Sequence, residues 1–219
     1  MKFAWSHSRL KVFETCPAQY EGKFVEHLKE DEGEAAKWGE RVHEDLEKAV
    51  RDGVPMPEAT KPYEWAVELG KKAQAVGARV EAEYKMGLTV DLKPCGFMDG
   101  NVWLRGKSDL SIIGNSVAAV WDYKTGKQRA GNTQLNIMAA MTFEHFPVER
   151  VEAKFLWLQN KKQSGVSHNR KDLPALWEEL IARAKRVERA HETGVFQPIP
   201  SWACNYCPVK TCRYNKVGK

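Results

Sequence analysis

Asp109, Asp122 and Lys124 stand in an apolar, strand-like region between Asn101 and Thr125, where charge is costly to place. Between the acids lie Leu110-Ser111-Ile112-Ile113, then Gly114-Asn115, then Ser116-Val117-Ala118-Ala119-Val120. These segments read as two strands joined by a two-residue turn, with Gly114-Asn115 supplying the positive-φ positions. Such a turn sets Ile113 opposite Ser116 and Asp109 opposite Val120. Side chains alternate along a strand, so Asp109, Asp122 and Lys124 fall on one face, with the acids diagonal neighbours about 7–8 Å apart at the backbone. Two carboxylates on one cation beside a lysine suit the hydrolysis of a phosphodiester. A surface hairpin closed by a salt bridge is the reading without chemistry.

The flanking segments must position this hairpin. Residues 1–28 read as a short helical opening, capped near Ser6-His7-Ser8. From Glu34 to Arg51, Ala35, Trp38, Val42, Leu46 and Ala49 recur at three- and four-residue steps, the mark of an amphipathic helix. A second helix is expected from about Pro62 to Val80, with Trp65, Leu69, Ala73 and Val76 inward. Glu81–Leu92 reads as a strand. Asn132-Thr133 opens a helix through His145 that carries Leu135, Met138, Ala139 and Phe143. Val151–Gln159 is a further strand, paired with a short one near Val166, and Asp172–Glu192 a long helix with Leu176, Leu180, Ala184 and Val187 inward. One helix crosses between the third and fourth strands, which predicts an α/β fold with a single core.

No apolar run approaches the roughly 20 residues that span a bilayer, and the first residues carry no signal-peptide core, so a cytoplasmic address is expected. Charge is unevenly spread: Lys154–Lys219 holds 13 Lys/Arg against 5 Asp/Glu, whereas the preceding residues hold 21 against 24. A basic C-terminal third suits a polyanionic partner. The five cysteines are Cys16, Cys95, Cys204, Cys207 and Cys212, an odd number that argues for ligand or core roles over disulfides. Three of them form a C-x₂-C-x₄-C run, a spacing that clasps a metal centre, and Cys16 is the evident fourth ligand. Zinc and an iron–sulfur cluster both fit these residues, and Cys95 is left as a core or turn residue.

Four patches, in order, resemble the PD-(D/E)XK nuclease superfamily, and within it the RecB-type branch of AddB-like, CRISPR-associated and phage recombination nucleases. Gly39-Glu40-Arg41-Val42-His43 looks like the family's helical Gly-x-x-x-His motif, and Gly106-Lys107-Ser108-Asp109 like its first acidic strand. Asp122-Tyr123-Lys124-Thr125-Gly126 looks like its Asp-Tyr-Lys-Thr-Gly signature, and Gln134-Leu135 like the start of its Gln-Leu-x-x-Tyr helix. Met138 replaces that motif's tyrosine, so no tyrosine contact to DNA carries over. The early-strand glutamate matches Glu81 or Glu83, with Glu83 preferred.

The resemblance implies a restriction-endonuclease-like core, a mixed central sheet flanked by helices, in a single domain over 1–219. It implies Mg²⁺ or Mn²⁺ held by His43, Asp109, Asp122 and the carbonyl of Tyr123, with Asp109, Asp122, Lys124 and Gln134 as the catalytic set. Lys127 and Arg129 are expected phosphate contacts. It further implies a [4Fe–4S] cluster on Cys16, Cys204, Cys207 and Cys212 that joins residues 1–28 to 197–219. The expected activity is a DNA exonuclease of recombination or repair in a bacterial cell or phage-infected host. An endonuclease of the same superfamily and a non-catalytic DNA-binding subunit are the alternatives. The sequence has no P-loop, so unwinding would need a helicase partner, and ring-forming homo-oligomers are compatible with the chain.

Overall fold

The computed structural model describes residues 4–29, 33–128 and 130–217. In chain order the elements are α1 (His7–Thr15), α2 (Pro17–Phe24), α3 (Glu34–Arg51), α4 (Glu64–Ala75), β1 (Arg79–Leu88), β2 (Pro94–Cys95), β3 (Leu104–Ile113), β4 (Val117–Lys124), α5 (Thr133–His145), β5 (Arg150–Trp157), β6 (Lys162–Asn169) and α6 (Leu173–Thr193). Two compact units divide the chain: Gly33–Trp177, and the ends Met1–Glu32 with Glu178–Lys219. No described helix is long and apolar enough to cross a membrane.

In the larger unit one six-stranded sheet runs β2-β1-β3-β4-β5-β6. All pairings are antiparallel except β4 with β5, which α5 connects as a crossover. Helices cover both faces. Val42, Leu46 and Ala49 of α3 and Ala66 and Val67 of α4 bury against Leu110, Trp121, Tyr123 and Leu156. On the other face Leu135, Met138, Ala139 and Phe143 of α5 bury against Ala118, Val120, Ala153 and Phe155. The spacing foresees these faces in α5 and, apart from Ala35, which is exposed in the first turn, in α3. In α4 it does not: the helix ends at Ala75, Gly77 takes φ +82, and Val76 is 83% exposed. Ala66, Val67 and Gly70 are its buried positions, with Trp65 and Leu69 on the flank.

The hairpin also differs from expectation. Ile113 pairs with Ala118 and Ser111 with Val120, so the register lies two residues from that of a two-residue turn. The loop is longer because Ser116 is drawn to β5, its carbonyl accepting from the N–H groups of Glu149 (2.8 Å) and Arg150 (3.1 Å). The Gly114 N–H closes the loop on the Val117 carbonyl at 2.9 Å, and neither Gly114 nor Asn115 has positive φ. A slip of two preserves each side chain's face over the paired stretch, which runs from Ile113↔Ala118 to Leu110↔Trp121.

The β1–β3 ladder keeps one register from Arg79↔Ile113 to Leu88↔Leu104, interrupted only where Glu83 faces Asp109. Glu83 has φ +53, a left-handed conformation uncommon outside glycine. Alternation changes phase there. Val80 packs with the α3 and α4 cluster, but Tyr84, an even number of residues on, packs with the α5 cluster. On β3, Gly106 lies against Met141 of α5, whereas Leu110 packs on the opposite face.

In the smaller unit α1, α2 and α6 pack around Tyr20, which is fully buried and bonds His191 Nε2 through its hydroxyl at 2.9 Å. Arg183 grips Glu14 with two bonds of 2.7 Å. The left-handed backbone at Glu83 yields a stability prediction. Glu83→Gly should exceed Glu83→Ala by about 1 kcal/mol in urea unfolding, because only glycine adopts that φ without strain. Equal stabilities would mean the left-handed conformation is not kept.

Candidate active site where two strands part

Beyond Leu110↔Trp121 the β3–β4 ladder stops, while β4 stays paired to β5 as far as Lys124↔Trp157. The gap is filled by the side chain of Asp109, which is 6% exposed. Its Oδ2 accepts from the Tyr123 N–H at 2.6 Å, and its Oδ1 lies 3.0 Å from His43 Nδ1. Burial works to raise the Asp109 carboxyl, but the His43 bond and charge and the Tyr123 N–H hold it below the usual carboxylate range. Burial works to lower His43, yet Asp109, Asp122 and Glu83 raise it above an ordinary imidazole.

His43 is carried into place by α3. Gly39, one turn earlier, allows α3 to run close to the end of β4: a Cβ there would stand 3.3 Å from Thr125 Oγ1. Gly39, His43, Thr125, Glu83 and Lys107 line an open cleft of about 430 Å³.

One ligand atom each from His43, Glu83 and Asp109 lie within 4.8 Å of one another. Among the described residues this is the only group of three or more His, Cys, Asp or Glu that gathers so tightly. An imidazole nitrogen with two carboxylates fits a hard divalent cation, with the nitrogen favouring Mn²⁺. Glu83 is raised by burial, against an ion pair with Lys107, and raised further by the charge of Asp109. Its left-handed backbone brings it to the group, whereas Glu81 bonds Arg79 at 2.8 Å. Of the two glutamates, it is Glu83 that lies with His43 and Asp109.

Asp122 stands beside this group and is 6% exposed. Lys124 Nζ is 2.5 Å from its Oδ2 and donates to Gln134 Oε1 at 3.1 Å, while Gln134 Nε2 donates to Asp122 Oδ1. Phe155 lies under the ammonium, 5.0 Å from it. Burial first and then the charge of Asp109 push Asp122 up to about 6, despite Lys124. Asp122, Lys124 and Gln134 therefore form one polar knot and His43, Glu83 and Asp109 another. The shared face expected for Asp109 and Lys124 is divided because Asp109 fills the gap and is reached from α3. Tyr123 meets Asp109 through its N–H, and its ring packs edge-on to His43 at 5.8 Å.

Lys127 is exposed in the loop after β4, and Arg129 lies outside the described residues. Lys107, the partner of Glu83, has no expected role, although it stands two residues before Asp109 in the acidic-strand motif. In the other unit Cys16, Cys204, Cys207 and Cys212 line one small cavity. No three of their sulfurs come within 4.8 Å of one another.

The family model described as the PD-(D/E)XK nuclease superfamily matches residues 4–77 and 62–212. The chain belongs to that superfamily. As a PD-(D/E)XK protein it is a metal-dependent nuclease by family, and its mixed sheet between helices is the restriction-endonuclease-like fold. Two solved structures are similar in fold. The crystal structure of SSO0001 is 15% identical at a TM-score of 0.51, covering 99% of this chain and 89% of that one. A Eubacterium rectale protein named "Putative exonuclease" is 14% identical at a TM-score of 0.56, covering 100% and 90%. No curated protein matches the chain.

For this PD-(D/E)XK site the raised Asp122 fixes a sign. The native state binds more protons than the unfolded chain between the ordinary 3.8 and about 6, so stability falls as pH rises through that window. In metal-free buffer Asp122→Asn should be more stable than wild type above pH 6, by on the order of 2 kcal/mol. The difference should shrink as pH falls towards 4 in urea titrations. Equal stability throughout would mean that Lys124 and Gln134 neutralise Asp122 completely.

Proposed function

We propose that this nuclease is a divalent-metal-dependent DNA exonuclease of the RecB-type branch. The observation that carries the reading is the gathering of His43, Glu83 and Asp109 next to the Asp122–Lys124–Gln134 knot. Asp109 and Asp122 are the principal carboxylate ligands, Glu83 a third, His43 the nitrogen ligand, and the Tyr123 carbonyl a neutral oxygen ligand. A bound Mg²⁺ or Mn²⁺ supplies Lewis acidity at a phosphoryl oxygen and a water of lowered pKa. Lys124 orients that water and offsets charge on the phosphoryl oxygens in the transition state. Gln134 holds the Lys124 ammonium through its Oε1 and donates through its amide to Asp122 Oδ1, which keeps the lysine and the acid in one arrangement. Lys127 and Arg129 contact phosphates.

Exonuclease action is supported by the four RecB-type motifs and by the name of the Eubacterium rectale neighbour. Recombination or repair in a prokaryotic or phage-infected cytoplasm follows from the same resemblance, with a helicase supplying any unwinding. The deciding assay uses end-labelled DNA and closed circular single strands with Mn²⁺ or Mg²⁺. Wild type should degrade the linear DNA and spare the circle; cleavage of the circle would establish an endonuclease instead. Lys124→Ala should lower the cleavage rate at least 10²-fold while sparing DNA binding, on the scale of losing one transition-state charge contact. A variant that cuts at the wild-type rate removes the lysine from the mechanism.

We further propose that Cys16, Cys204, Cys207 and Cys212 hold a [4Fe–4S] cluster within the unit formed by the chain ends. Two features support the fit. Backbone N–H groups of Ile199 and Ser201 donate to the sulfurs of Cys16 (3.3 Å) and Cys204 (3.4 Å), the kind of bond that tunes cluster potential. Tetrahedral zinc with Zn–S of about 2.3 Å draws its sulfurs to about 3.8 Å, closer than these thiols gather. Anaerobically purified protein should be coloured and contain iron with acid-labile sulfide, and Cys207→Ser should lose both. Colourless protein with one zinc per chain would establish the zinc site.

A further inference from the structure

We infer that the groove beside the cysteine cavity is a stacking site for single-stranded DNA. The inference rests on the nuclease reading only for its choice of DNA as the polyanion. The groove measures about 560 Å³ and is walled by Trp202, Arg213, Tyr214 and Lys216, with Ser201 and Asn215 in its frame. Trp202 is 69% exposed, an unusual place for the largest apolar ring. The Arg213 guanidinium lies 4.7 Å over the Tyr214 ring, which puts a cation–π pair in the same groove as the indole. From Gly194 to Lys219 the sequence carries four Lys/Arg and no Asp/Glu.

The frame is already rigid. Asn215 is 5% exposed; its amide donates to the carbonyls of Cys207 (3.0 Å) and Val209 (2.9 Å), and its oxygen accepts from the Val217 N–H at 2.8 Å. The Lys216 N–H donates to the Cys204 carbonyl at 3.1 Å, and Ser201 Oγ accepts from the Ala203 N–H at 3.2 Å. An exposed indole, a guanidinium over a ring and an exposed lysine on a hydrogen-bonded loop match what unpaired bases and their phosphates require. Every base offers a π-face, and each phosphate a charge. Duplex DNA hides its base faces, so the aromatic wall favours single strands.

The test uses the full-length protein in EDTA with fluorescein-labelled oligothymidylate, read by anisotropy, against an abasic oligomer of equal length. Oligothymidylate should bind at least tenfold more tightly than the abasic chain. Trp202→Ala should weaken oligothymidylate roughly tenfold and leave the abasic chain unchanged, whereas Trp202→Phe should retain most of the affinity. Arg213→Ala and Lys216→Ala should each lower the salt slope by about 0.7. Tyr206, equally exposed at 69% but outside the groove, provides the control: Tyr206→Ala should bind as wild type. Equal affinity for both oligomers, no effect of Trp202→Ala, or equal loss from Tyr206→Ala would each overturn the groove assignment. A protein that binds in this way but never cuts with metal defeats the nuclease reading alone, and one that cuts without groove binding defeats this inference alone.

Discussion

The Asp109 carboxylate, caught between the Tyr123 N–H and His43 Nδ1, is the interaction on which the rest of the site depends. It takes over a backbone donor exactly where β3 and β4 would otherwise continue their ladder, so the strands separate without leaving a buried N–H unmet. The same oxygen pair fixes the His43 ring and keeps its own charge in a buried setting, as charge-assisted hydrogen bonds allow. Without the parting the Asp109 side chain would have no gap to fill, and without the bond the parting would be costly.

Around that bond the protein has crowded like charges. Asp109 stays ionised while Glu83 and Asp122 are pushed towards their protonated forms, and each of those two has a lysine of its own, Lys107 and Lys124. The arrangement is tolerable without metal but not relaxed. It illustrates how a site tuned for binding departs from the local rules that favour stability. The left-handed Glu83 belongs to the same account, since backbone strain is retained where the surrounding sheet over-determines it.

Much of this was legible in the sequence, for particular reasons. The faces of α3 and α5 follow from apolar spacing, and the hairpin from two apolar runs around Gly114-Asn115. The register was not legible, because the hold on Ser116 comes from Glu149 and Arg150, distant in sequence and adjacent only through the parallel strand. The division between the Asp109 and Asp122 knots was hidden for a similar reason: alternation assumes regular β geometry, and nothing in a glutamate announces positive φ. In α4, Val76 extends the apolar pattern past the point where Gly77 ends the helix. Trp202 and its groove carry no motif; their signal was the acid-free, aromatic and basic composition of the last residues.

The parallel pairing of β4 with β5 has a consequence for how the site comes into being. Every side chain that builds the two knots lies between His43 and Gln134, yet the strand that holds β4 in line, through Lys124↔Trp157, is made afterwards. Parallel strands close only after their crossover helix has packed, and such non-local pairings form late. A growing chain released in order from its N-terminus thus exposes every side chain of both knots before it owns the scaffold that aligns them. The topology makes cutting competence the property of a finished sheet, withheld from the partly made one.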